Sequence, residues 1–278
     1  MNTELSLSFK ITNWCNLRCA HCCECSGPTE PATFLPLKKI EQYTIESVHM
    51  PIKPNDYLVL GGGEAMAPYM HNKPDYIPKA LDIIYKYGYV PTIKTNGTWG
   101  DNDARREQIL HDIAKPAYEY QKLVTLDISI DEFHNNISGV SKIICTILSN
   151  PDLCLAIRCC IVGFNTKKSA IALSKLKQML QNQGLKISPI NYSDWIVFTP
   201  NGDAVYLVVD YSAGIHDLGR AKDKKVYTST GNPTGAISCL QIDNNDMAIY
   251  NYLIKEPVNN RPLNEVLFSL MSKQIKGY

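Results

Sequence analysis

Five of the ten cysteines in this 278-residue chain fall between positions 15 and 25: Cys15, Cys19, Cys22, Cys23 and Cys25. The spacing Cys15-x3-Cys19-x2-Cys22 puts three thiolates on one short loop. Clustering of this kind points to metal or redox chemistry. Three centres compete for it. Structural zinc needs four tetrahedral ligands; His21, Cys23 or Cys25 could complete a set, but the usual pair of separated CxxC knuckles is absent. A thioredoxin-type CxxC should open a helix in a small redox fold. A [4Fe–4S] cluster normally takes four cysteines. Held by three, it leaves one iron open to a substrate or cofactor. With Cys23 or Cys25 as a fourth ligand it becomes a plain electron carrier, and spacing leaves both outcomes open. The remaining cysteines are scattered at Cys145, Cys154, Cys159, Cys160 and Cys239. Cys145 and Cys154 read as small buried hydrophobes.

The run Cys15-Asn16-Leu17-Arg18-Cys19-Ala20-His21-Cys22 resembles the CxxxCxxC signature of radical SAM enzymes. Three further stretches resemble that family's motifs in order: Leu60-Gly61-Gly62-Gly63-Glu64, Thr95-Asn96-Gly97-Thr98 and Ser129-Ile130-Asp131-Glu132-Phe133-His134. Ala65 departs from the family's usual proline. The resemblance covers residues 5–200, and a weaker echo continues to the C-terminus.

The resemblance implies a [4Fe–4S] cluster on Cys15, Cys19 and Cys22, with S-adenosylmethionine (SAM, AdoMet) on the open iron. It implies one-electron cleavage of SAM to a 5′-deoxyadenosyl radical that abstracts hydrogen from a substrate. Gly61, Gly62 and Gly63 would let backbone approach the methionine end of SAM, and Glu64 would accept hydrogen bonds from its ammonium group. His21 is expected near the adenine, and Asn96 at the cofactor. Ser129, Asp131 and Arg158 are expected to hold the carboxylate or ribose. His134 is a candidate proton donor and Cys239 a candidate hydrogen-atom donor, as in peptide epimerases. The substrate is expected to be a peptide, with a small metabolite as the alternative. A flavodoxin or ferredoxin would supply electrons.

Those residues need elements to position them. Leu5–Thr12 alternates as a strand, followed by a helix over Leu37–His49 with Pro36 as its first residue. The pattern then runs strand Tyr57–Gly61, helix Asp75–Tyr87, strand Tyr89–Thr95, helix Asp101–Lys115, strand Lys122–Asp131 and helix Asn136–Leu148. Strand Leu153–Gly163 and helix Lys167–Gln183 complete it. Repeated βα units predict an α/β fold with a parallel sheet. The family resemblance implies a partial (βα)6 TIM-like barrel over 1–193. In parallel barrels, sites collect at the C-terminal ends of strands, where all four motifs fall. In strand four, Leu126, Ile128 and Ile130 alternate with Asp127, Ser129 and Asp131, which predicts one apolar and one polar face. In strand five, Arg158 shares a face with Cys154, Ala156, Cys160 and Val162, where it could clamp a carboxylate.

Residues 194–278 read as a small hairpin and helix extension. Trp195–Thr199 and Ala204–Val209 flank the turn signal Pro200-Asn201-Gly202-Asp203. A second hairpin-like segment starts at Cys239, and a helix spans Pro262–Lys273. With Cys239 the only thiol there, no auxiliary cluster is expected.

Composition removes other classes. Twenty-eight Lys+Arg against 27 Asp+Glu leave a formal charge of +1, which gives no basic surface for nucleic acid. No apolar run approaches the roughly 18 residues of a membrane span. Met1–Lys10 lacks the features of a secretory signal, so a cytoplasmic location is expected. The competing functional classes are a non-enzymatic iron–sulfur or zinc protein and an inactive homologue serving as a binding partner.

Overall fold

The computed structural model describes residues 4–52, 54–134, 136–164, 166–189, 194–198, 204–213, 237–250 and 254–275. Strands alternate with helices: β1 (Glu4–Lys10), α1 (Leu37–Val48), β2 (Pro54–Gly61), α2 (Ala67–Met70), α3 (Tyr76–Lys86), β3 (Val90–Thr95) and α4 (Asp103–Glu119). They continue with β4 (Val124–Ser129), α5 (Ile137–Ser149), α6 (Pro151–Ala156), β5 (Ile157–Phe164) and α7 (Lys167–Asn182). The C-terminal part adds β6 (Lys186–Pro189), β7 (Asp194–Phe198), β8 (Ala204–Ala213), β9 (Ile237–Asp243), β10 (Met247–Tyr250), β11 (Ile254–Pro257) and α8 (Leu263–Ile275).

The described strands join one sheet in the order β11-β10-β9-β1-β2-β3-β4-β5-β8-β7-β6. From β9 to β8 every neighbouring pair is parallel. Only the outer pairs are antiparallel. The place beside β5 goes to β8, so β6 lies at the sheet edge. The β7–β8 pairing matches the expected first hairpin; its turn residues, 199–203, lie outside the described residues. The second hairpin is β9–β10. It turns at Asn244–Asp246, where Asp243 Oδ1 accepts the Asn245 and Met247 N–H groups. Its first strand lies parallel to β1 along Glu4–Lys10.

Alternation separates the faces of the sheet. Leu7, Phe9, Leu58, Leu60, Ile93, Leu126, Ile128, Ile161, Leu240 and Ile242 are fully buried on the helix-covered face. Truncating one of these to alanine typically costs about 2–5 kcal/mol. The other face carries Ser8, Lys10, Lys94, Asp127, Ser129, Arg158 and Cys160. Lys94, Asp127, Cys160 and Val208 sit side by side in register across β3, β4, β5 and β8.

Several element boundaries differ from the sequence reading, three of them near the site or for a local reason. Leu153–Ala156 belong to a short helix, and strand five starts at Ile157. Pro151 at the first helical position and the Asn150 side chain, which accepts the Asp152 and Leu153 N–H groups, nucleate that turn. Cys154 and Ala156 therefore do not share a strand face with Arg158, although Cys160 and Val162 do. The fourth long helix starts at Asp103, capped by the Asn102 side chain accepting Arg105 N–H, and Thr98–Asp101 forms a 3-10 turn before it. Pro36 caps the first helix from just outside it.

Helix α8 is moored through Glu256 of β11. Its carboxylate accepts Arg261 Nη2 at 2.9 Å, Ser269 Oγ at 2.9 Å and Lys273 Nζ. Burial works against the charge, but these bonds hold the carboxyl below its ordinary value. A depressed carboxyl stabilises the fold above its unfolded pKa, and that stability is lost as pH falls through the folded value. Glu256→Gln should therefore cost about 1–3 kcal/mol at pH 7. Thermal melts should show the gap from wild type closing on acidification below the ordinary carboxyl value of 4.5.

Candidate cluster site

The cysteine loop leaves β1 and is stitched to the end of β2. Ile11 N–H donates to Gly61 O at 2.9 Å, Gly63 N–H to Thr12 O at 2.9 Å and Glu64 N–H to Trp14 O at 2.9 Å. Glycine is required for this approach. A Cβ on Gly63 would lie 2.0 Å from Trp14 O, and one on Gly62 would lie 2.7 Å from Thr12 O. Gly62 also has φ +142, which side chains resist. Gly61 differs, with open space where its Cβ would stand. The backbone that Gly62 and Gly63 admit is thus that of the cysteine loop. The loop closes where Cys15 N–H donates to Gly27 O at 3.2 Å. At its root, the buried Lys10 ammonium pairs with Glu24 at 2.5 Å.

Cys15 is buried, and Cys19 and Cys22 are partly exposed; all are free thiols. Cys15 Sγ accepts Leu17 N–H at 3.4 Å and Asn96 Nδ2 at 3.7 Å. Burial, then Glu64, push its pKa up to about 12, and Cys19 and Cys22 add to this. Cys19 and Cys22 therefore both lie within electrostatic reach of Cys15. Cys23 is also pushed up to about 12, by burial and then Glu24; its other charged neighbours are Cys22 and Lys10. Three soft sulfur donors, one already receiving two N–H···S bonds, fit an iron–sulfur centre.

Glu64 and Asn96 brace that loop against β3. Glu64 is fully buried. Its Oε1 accepts Thr95 Oγ1 at 2.5 Å and Met66 N–H at 2.9 Å, and its Oε2 accepts Asn96 N–H at 2.8 Å. Burial raises its pKa, and those bonds oppose the rise. Asn96 Nδ2 donates to Asn16 Oδ1 at 2.9 Å, and Asn16 Nδ2 donates to Thr98 Oγ1 at 2.7 Å. Asn136 spans the next gap, donating to Ser129 O at 2.9 Å and to Asn96 O.

The end of β4 supplies Asp131 and His134. Asp131 Oδ1 accepts the N–H groups of Phe133 and His134 at 2.8 and 3.1 Å. Both carboxylate oxygens lie 2.9 Å from His134 Nδ1. Burial disfavours charge on the His134 ring, but Asp131 and Cys19 outweigh burial and raise its pKa. His21 packs its ring on Phe133 at 4.4 Å, edge-on to Phe164 at 5.0 Å and to His134 at 5.1 Å. Ring nitrogens of His21 and His134 and a carboxylate oxygen of Asp131 fall within 4.8 Å of one another, a spacing a metal ion could bridge.

The structure thus brings together Cys15, Cys19, Cys22, His21, Gly61, Gly62, Gly63, Glu64, Asn96, Ser129, Asp131 and His134. Arg158 stands apart. It is exposed and pairs in register with Thr125, whereas Ser129 pairs with Val162. That places it about 13 Å down the strand from the motif end. Cys239 lies in β9 opposite Ser6 of β1; its side chain lies outside the described residues. Sequence reading missed Lys10, Glu24, Asn16, Thr95 and Asn136. Asn16 and Thr95 were within reach, since both stand inside quoted motifs; the others carry no local signal.

No family model matches the chain. Over 129 residues it is 26% identical to the Bacillus subtilis (strain 168) protein "Putative peptide biosynthesis protein YydG", a match covering 46% of this chain and only 36% of that curated relative. In fold it is similar to anSMEcpe with bound AdoMet, with a TM-score of 0.52 and 14% identity over 95% of this chain and 80% of that one. The same protein with AdoMet and the Cp18Cys peptide gives a TM-score of 0.50, again at 14% identity and the same coverage. The likeness to these solved structures is one of fold, and in this chain the parallel sheet carries three cysteines just after its first strand and glycines at the end of its second.

Proposed function

We propose that this chain is a radical SAM enzyme that modifies a peptide. The observation that carries the reading is the Cys15 thiol, buried at the C-terminal edge of a parallel sheet beside Cys19 and Cys22 and hydrogen-bonded by Leu17 and Asn96. In this reading the three cysteines hold a [4Fe–4S] cluster. Bound there, the cluster and AdoMet would supply one-electron radical chemistry for removing a hydrogen atom from the substrate. The chain does the positioning. Gly62 to Glu64 fix the cysteine loop, and Gly61 leaves room beside it. Ser129 offers a polar group to the bound molecule, and the His21 ring offers a packing surface. Cys239 is the candidate hydrogen-atom donor.

Support for a peptide comes from the relative's name, which concerns peptide biosynthesis, and from the peptide complex of anSMEcpe. An electron donor such as flavodoxin or ferredoxin completes the scheme. Among the described residues, no helix is long and apolar enough to cross a membrane.

The test is anaerobic reconstitution with iron and sulfide, then dithionite and AdoMet. Wild type should release 5′-deoxyadenosine, and Cys19→Ala should release none. A protein that takes up zinc, or loads iron fully and leaves AdoMet intact, overturns the reading. Mass change in candidate peptides incubated with the active protein then tests the substrate class.

A further inference from the structure

Parallel sheets are almost always covered on both faces. Helices cover one face of this sheet, and the opposite face carries charged side chains in its middle strands. Strands β3 and β5 each have a strand on either side. A side chain there reaches solvent only where nothing lies over the face. Lys94 of β3 and Arg158 of β5 are both exposed. Lysine is disfavoured inside strands, so its presence in mid-sheet calls for a reason.

Among the described residues, neither of these two cations has an ion pair or a hydrogen-bond partner. Other charges on the same face are engaged. Lys10 is closed off by Glu24 at 2.5 Å. Asp127, half-buried on β4 between the two cations, has an interaction of its own. There is also room beside Lys94. Gly61 and Lys94 are the next residues after the Leu60–Ile93 pair, and a Cβ on Gly61 would meet nothing within 4 Å. Lys94 lies two residues before Asn96, whose side chain reaches Cys15 Sγ at 3.7 Å. The open strip therefore begins at the foot of the cysteine loop.

Register gives the spacing of the two cations. Lys94 pairs with Asp127, and Arg158 pairs with Thr125, two residues earlier on β4. Arg158 thus stands two strands across from Lys94 and two residues back. At about 4.8 Å between strands and about 3.3 Å per residue, their Cα atoms are about 12 Å apart. In an extended peptide, residues i and i+4 point the same way and are about 13 Å apart. Two carboxylates at that interval match the two cations. Lys94 supplies a point charge, and Arg158 supplies a planar fork that takes a carboxylate through two bonds.

We propose that the uncovered face of the sheet is the surface that selects the peptide, and that it takes an acidic segment whose carboxylates at i and i+4 meet Lys94 and Arg158. The proposal rests on the peptide-modifying reading above, and its test reads binding, which needs no turnover. Labelled peptides of one neutral sequence carry an Asp pair at i and i+4, an Asp pair at i and i+1, an Asn pair or a Lys pair. Each is titrated into the full chain, with and without a reconstituted cluster, and followed by fluorescence anisotropy.

The spaced Asp pair should bind about tenfold more tightly than the Asn pair, since each exposed ion pair contributes up to about fivefold. That advantage should shrink as salt rises. Lys94→Gln and Arg158→Gln should each remove part of it, and the double variant all of it. The double charge reversal, Lys94→Glu with Arg158→Glu, should prefer the Lys pair. Equal affinity for Asp and Asn pairs overturns the proposal, as does an Asp preference that survives in the double Gln variant. Adjacent Asp residues that bind as tightly as spaced ones overturn the two-point match. Equilibrium dialysis with AdoMet gives a further check: a Lys94→Gln protein that no longer retains AdoMet assigns the ammonium to the cofactor and overturns the proposal. A cluster-loaded wild type that leaves AdoMet intact defeats the enzyme reading alone, because the anisotropy series stands without it.

Discussion

Gly63→Ala should unseat the cysteine loop. The added methyl group would sit 2.0 Å from Trp14 O, and the obstacle is backbone on both sides, so no side chain can swing aside. The strand end or the loop must move. Either movement stretches the bonds from Gly63 N–H to Thr12 O and from Glu64 N–H to Trp14 O. Overpacking of this kind costs about 1–3 kcal/mol, and loss of the two bonds adds to it. A 3 kcal/mol penalty on the loop corresponds to roughly a hundredfold loss of its binding-competent arrangement. Iron retained per chain after reconstitution and desalting should therefore fall sharply. Gly61→Ala is the control, because its Cβ meets nothing within 4 Å. Equal iron retention in the two variants would show that close approach is not what the glycines serve.

Glu64→Ala is expected to be the second most damaging change. It removes one fully buried carboxylate that satisfies Met66 N–H, Asn96 N–H and the Thr95 hydroxyl together. Thr95 Oγ1 in turn accepts Gly97 N–H at 3.2 Å and Trp99 Nε1 at 2.9 Å, so the disturbance reaches the start of the 3-10 turn. Each buried donor left without an acceptor costs about 1–3 kcal/mol. For the two backbone donors together this sets the total at about 2–6 kcal/mol. Chemical denaturation should show that loss as a lower midpoint at unchanged slope. Glu64→Gln keeps the shape and one acceptor oxygen, so it should fall between wild type and alanine. A Glu64→Ala variant as stable as wild type would mean that the three donors find other partners.

The parallel frame was legible because its signals are local. Strand four alternates without a break from Leu126 to Asp131, and the helix that follows strand three shows itself by acidic residues at its start. The cysteine spacing and the glycine-rich strand end were equally plain. Strand five misled because Leu153 to Ala156 are as apolar as a buried strand, and the Asn150-Pro151 start that makes them helical is a two-residue signal. What the motif residues touch was harder to read. Glu64 and Asp131 suggest open ligand-binding carboxylates, yet both are spent on backbone N–H groups and neighbouring side chains. Nothing in a linear pattern reports such closure, since Thr95 stands 31 positions from Glu64. Lys10 and Glu24 were invisible for the same reason: each looks like an ordinary surface charge until the loop folds back.

The parallel pairing of β9 with β1 ties the strand that leads into the cysteine loop to a segment far later in the sequence. Long-range pairings of this kind form slowly. One border of β1 therefore has no ladder partner until Ile237 to Asp243 have been made and have docked. Iron that reached the thiols before then would meet an unfinished support.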